Sequence, residues 1–160
     1  MIIKMPTPTM GYIHRGDGLV LLCGILLGPG RGAAAAGIGS MFADIFSGYA
    51  AWAPATLIIK AATAFLGGWV FHKLHVSGFA TPVRTVLAGI PAEIVMVFGY
   101  YVYEVGLAMA GGSAFGAAAV ATASGVPFNI VQGAAGVIVS AVLLPILSRA
   151  SGDLRARIHA

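Results

Sequence analysis

The sequence predicts an all-α integral membrane protein built as a bundle of five apolar transmembrane segments. Two compositional facts lead there: 59% of the 160 residues are hydrophobic against 9% charged, and the mean hydropathy is +0.94. A soluble domain carries about 25% charged residues, so this chain lacks the polar atoms to cover a water-facing surface. The third is punctuation, since 23 glycines and 8 prolines divide the chain into apolar runs. A soluble globular enzyme, a disordered chain and a disulfide scaffold are thereby excluded. The lone cysteine, Cys23, lies in an apolar run and cannot form an intrachain disulfide.

The first segment, 18–27, follows a Gly-Asp-Gly turn and stops at the GPGRG stretch of 28–32. The second, 32–46, is rich in alanine and glycine. The third, 55–72, opens behind Trp52-Ala-Pro54, and the fourth, 82–109, behind Thr81-Pro82. The fifth, 126–147, follows the Ser124-Gly125 break. Roughly 20 residues cross a bilayer. The last two segments are long enough and the third nearly so. The first two are short, which is tolerable where neighbouring helices and ordered loops cover their ends. The whole chain reads as one membrane domain, with 1–17 as a loop, 18–147 as the bundle and 148–160 as a tail.

Charge gives the orientation. The net charge is +4 and the pI near 9.6, but the cations sit between apolar runs rather than in the patch of a nucleic-acid binder. Alternating connections place Arg31, Lys73, Arg84, Arg149, Arg155 and Arg157 on one side, with Lys4 and Arg15 on the other. The six-cation side is expected to be cytoplasmic. That puts 1–17 outside, and with no signal peptide visible it implies a further helix ending near Met5.

Ionisable groups inside a membrane are costly and turn toward a protein interior or cavity. Asp44, Lys60, Glu93 and Glu104 are the candidates. Tyr100 and Glu104 follow Glu93 by seven and eleven residues, so the three fall within about 40° on one helix face. Thr56, Lys60 and Thr63 form a second stripe and Ser40, Asp44 and Ser47 a third, while Asn129 and Gln132 are i, i+3 neighbours. Most of these lie toward the outer ends of their segments, beneath Tyr49 and Trp52. The layout is a pocket open outside and closed below. Each feature has a plainer reading beside it. Asp44 and Lys60 form either a structural ion pair or a pocket wall. Glu104 can sit at the headgroups, Tyr49 and Trp52 in an aromatic belt, Tyr100 in the core, and Asn129 and Gln132 can join helices.

Other chemistry is sparse. GPGRG lacks the Lys-Ser/Thr of a phosphate loop and reads as a tight turn. His72 and His75 have no partner cluster for a metal, and no nucleophile–base set accompanies Glu93 or His14. The sequence therefore predicts no enzyme and no cofactor. A membrane scaffold, its stripes serving only packing, is the competing reading. Ala33, Ala36, Gly37 and Ser40 form a smooth face suited to close helix contact or to docking another membrane protein.

Three stretches carry a family resemblance: PTPTMGYIHRGDG (6–18), LLGPGRGAAAAGIGSMFADIFSGYAAWAPATLIIK (26–60) and GVPFNIVQGAAG (125–136). Together they make the chain similar to the substrate-binding S components of energy-coupling factor (ECF) vitamin transporters. Within that group it most resembles the branch for hydroxymethylpyrimidine and pyridoxine-like B6 vitamers, with riboflavin or another vitamin as the alternative.

The resemblance implies a six-helix protein of the bacterial plasma membrane with both termini cytoplasmic. It implies a transmembrane coupling protein and two cytoplasmic ATPases as partners, which energise uptake while the S component hydrolyses nothing. It also assigns ligand contact to the polar pair Asn129 and Gln132, and pocket closure to loops 6–17, 47–54 and 110–125. Tyr49, Trp52 and Tyr100 would then line or stack on a ring, with Glu93 and Lys60 completing the substrate-binding set. A carboxylate such as Glu93 suits a protonated ring nitrogen or an amine.

Overall fold

The computed structural model describes residues 16–150, and among these every regular element is helical. In order they are α1 (Asp17–Leu27), α2 (Pro29–Phe46), α3 (Ala53–Lys73), α4 (Thr81–Ala110), α5 (Phe115–Ala123) and α6 (Val126–Ala150). A 3-10 turn, Leu74–Ser77, extends α3. Among the described residues three helical stretches are long and apolar enough to cross a membrane: Ala53–Ser77, Thr81–Ala110 and Val126–Ala150. The expected bundle is present. The expected loop 110–125, however, contains a nine-residue helix, α5. Its Ala-rich composition gives no amphipathic stripe to announce it. Tyr101 Oη donates to the Ala119 carbonyl at 3.2 Å and ties α5 to α4.

The GPGRG stretch is also tighter than expected. Gly28 alone makes the turn, with φ 82°, and Pro29 already stands in the first turn of α2. Proline suits that place because its missing N–H would have no partner there. Gly32 is needed for a different reason. A Cβ there would meet the Cys23 carbonyl oxygen at 2.4 Å, so α2 folds back directly onto α1.

Helix α1 has eleven residues and reaches about 16 Å at 1.5 Å per residue, too short to span. It is held inside the bundle against α2, α3 and α6, with Val20, Leu21, Leu22 and Ile25 all buried. Its end is covered, as a short membrane helix requires: His72 Nε2 lies 3.1 Å from the Ile25 carbonyl oxygen. The approach to α3 is backbone on backbone, since a Cβ on Gly68 would meet the Gly24 oxygen at 2.3 Å. Ala36, Gly37 and Ser40 are buried and Ala33 half-buried, and a Cβ on Gly37 would meet the Leu57 oxygen at 2.6 Å. The smooth face of α2 thus serves contact within the chain.

Two apolar layers bracket the centre. Leu22, Ile25, Phe71, Ala88 and Leu144 pack at one end. Ala55, Ile59, Met96 and Tyr100 pack at the other, with Trp52 and Tyr103 against them. Arg84, read from sequence as a loop cation, is instead buried in the first turns of α4. Its guanidinium donates to the Phe71 carbonyl at 3.0 Å and lies 4.1 Å from the centre of the Phe71 ring. Outward faces remain apolar, as at Ile58, Phe98 and Ile130, which suits contact with acyl chains.

Candidate functional site

A polar layer crosses the bundle between the two apolar ones, drawn from four helices. Lys60 on α3 is fully buried and forms an ion pair with Asp17, the first residue of α1, itself 1% exposed. Gln132 on α6 donates through Nε2 to the other Asp17 oxygen at 2.6 Å. The Lys60 ammonium stands 5.2 Å from the centre of the Tyr100 ring on α4, a cation–π distance. The Tyr100 hydroxyl is 3.1 Å from Thr56 Oγ1. Every link joins residues far apart in sequence.

Glycine makes the layer possible on the α6 side. A Cβ on Gly136 would come within 2.7 Å of the Asp17 Cβ, and one on Gly133 within 2.9 Å of Glu93 Oε2. The helix bearing Gln132 can therefore press its backbone against both acids. Met96 Sδ, 4.0 Å from Gln132 Nε2, fills the space below.

The sequence-predicted residues divide into groups. Lys60, Tyr100 and Gln132 come together, Gln132 through the Asp17 carboxylate. The partner of Lys60 is Asp17 and not Asp44, which corrects the ion pair entertained from sequence. Asp44 is buried on α2, within electrostatic reach of the Tyr100 hydroxyl. Glu93 is seven residues before Tyr100, about 10 Å deeper along α4. Its carboxyl is buried, and neither oxygen has a hydrogen-bond partner among the described residues. Asp17 and Lys60 both act on it electrostatically. It also lines a groove of about 630 Å³ between α4 and α6, with Ile90, Ile94, Val97, Ile130 and Gly133 among its walls. Glu104 is buried one turn beyond Tyr100.

Above the layer, Tyr49 and Trp52 are half-buried in the turn between α2 and α3. Trp52 meets Tyr103 edge-on, centroids 5.6 Å apart, and Tyr103 Oη donates to the Ala51 carbonyl. Asn129 is half-buried near the start of α6, one turn from Gln132. Of the three loops expected to close the pocket, 6–17 lies almost wholly outside the described residues.

Sequence reading missed Asp17 and Tyr103. The sequence pattern puts Asp17 at the end of a loop. The available signal was an acid immediately ahead of an apolar run, where a helix N-terminus favours it, together with the need of a buried lysine for a counter-charge. Among the described residues no group of three His, Cys, Asp or Glu side chains is placed to hold a metal.

The polar layer is buried, has aromatic side chains packed beside it, and is carried in part on helices long and apolar enough to cross a membrane. The sequence matches the ECF-type riboflavin transporter S component family over residues 1–149, and the chain belongs to that family. The family is described as one of transporter subunits. It is also 39% identical over 101 residues to a protein of Pyrococcus woesei described as an uncharacterized protein in gap 3'region. The match spans 62% of this chain and 64% of that relative. No solved structure matches the chain.

Proposed function

We propose that the protein captures a small heteroaromatic vitamin or precursor, hydroxymethylpyrimidine or a B6 vitamer, on the outer face of the cell membrane. Release inside would be driven by a transmembrane coupling protein and two ATPase subunits. The observation that carries this reading is the convergence of Lys60, Tyr100 and Gln132 from three helices beneath Trp52, with Asn129 and Tyr49 at the rim. A flat ring stacked on aromatic side chains, its nitrogens and hydroxyls met by a few fixed polar groups, matches such a site. Glu93, one layer deeper, contributes its field at the floor. Arg31, Lys73 and Arg149, all exposed at the opposite end or in the tail, support placing the Trp52 end outside.

Riboflavin is the second reading, favoured by the family's description. Titration of the detergent-purified chain with hydroxymethylpyrimidine, pyridoxine and riboflavin separates the two. Replacing Asn129 or Gln132 by alanine should weaken binding of the preferred compound by about 1 kcal/mol or more each, since a buried polar group on the ligand then loses its partner. Superimposable titrations for wild type and both variants would remove these residues from the site.

A further inference from the structure

We infer, resting on the reading of the site just given, that Asp17 sets its charge selectivity: by closing the Lys60 ammonium into an ion pair, it makes the site accept uncharged or cationic heteroaromatics and turn away their phosphate- or carboxylate-bearing forms. The argument is a count of charges in a dry place. Among the described residues Lys60 is the cation of the polar layer, and it has no exposed surface. Left unpaired beneath the aromatic roof, an ammonium in a low-dielectric interior would be a strong attractor for any anion. Asp17 removes that attraction. Its two carboxylate oxygens are committed to Lys60 on α3 and to Gln132 on α6, so the pair is locked from two sides.

Glu93 tilts the balance further. It lies within electrostatic reach of the Asp17–Lys60 pair, and both its oxygens lack a partner among the described residues. Among the described residues Lys60 thus has Asp17 as its ion-pair partner and the Glu93 carboxyl group nearby. Among the described residues an arriving phosphate or carboxylate finds no unpaired positive charge in this layer and meets a carboxyl group beside the pair. An amine, a protonated ring nitrogen or a neutral ring meets no such penalty. Gly136 belongs to the device, because any side chain there would displace Asp17.

The test uses matched probes that differ by one phosphate, on the full chain in detergent, by isothermal titration. The pairs are hydroxymethylpyrimidine and its monophosphate, pyridoxine and pyridoxine 5′-phosphate, and riboflavin and riboflavin 5′-phosphate. Wild type should bind at least one uncharged member and bind its phosphate at least about ten-fold more weakly. Asp17→Asn should narrow that gap about ten-fold or more, because the ammonium is released to the ligand. The double variant Asp17→Asn with Lys60→Met should restore it. A purely structural Asp17 would lower both affinities together, and an unchanged gap in Asp17→Asn overturns the proposal while leaving the vitamin site intact. So does a wild type that binds the phosphate as tightly as its parent. Should Asp17→Asn not fold, Lys60→Met alone decides, since it must keep or widen the gap and a narrower one overturns the idea. If no uncharged member binds wild type, the vitamin reading itself falls, and this inference with it.

Discussion

Replacing Lys60 by methionine keeps the length of the side chain and removes its charge. In the folded protein this strands Asp17, 1% exposed, with Gln132 as its remaining side-chain donor. Removing one member of a buried ion pair costs about 3–5 kcal/mol, because the other charge stays desolvated. Asp17 also occupies the first turn of α1, where the exposed N–H groups of the helix offset up to about 1 kcal/mol. The net expectation is a loss of about 2–4 kcal/mol. Adding Asp17→Asn should recover most of it, leaving the double variant within about 1 kcal/mol of wild type and a coupling of about 3 kcal/mol or more between the sites. Reversible unfolding of the four proteins in mixed detergent, followed by tryptophan fluorescence, measures the cycle. A Lys60→Met variant within about 0.5 kcal/mol of wild type would refute the reasoning, as would coupling of Lys60 to Asp44 in place of Asp17.

Two further outcomes follow from packing and hydrogen bonding. Gly24→Ala sets a methyl group 2.0 Å from the Ala64 carbonyl oxygen, whereas Gly39→Ala meets nothing within 4 Å. The first should cost about 1–3 kcal/mol or more and the second should be neutral or mildly stabilising, so equal melting temperatures would contradict the close α1–α3 crossing. Tyr100→Phe removes the contact with Thr56 and should cost about 1 kcal/mol of stability, with Thr56→Val adding little more in the double variant; additive losses in thermal unfolding would show that the two hydroxyls do not interact.

The class of protein and the positions of its long helices are already fixed by composition, because a bilayer demands unbroken apolar runs and Gly or Pro can be seen ending them. The polar stripes of α3 and α4 follow from helical periodicity in the same way. Which charges meet does not. Lys60 has several acids along the chain, among them Asp44, Glu93 and Asp17, sixteen, thirty-three and forty-three residues away, and stripe spacing does not choose between them. Tertiary structure decides for Asp17, because α1 is short enough to be enclosed by α2, α3 and α6, and the missing side chains of Gly24, Gly68 and Gly136 let it approach. Pairing across helices depends on how closely backbones can pack in three dimensions, and no local pattern in the sequence carries that distance.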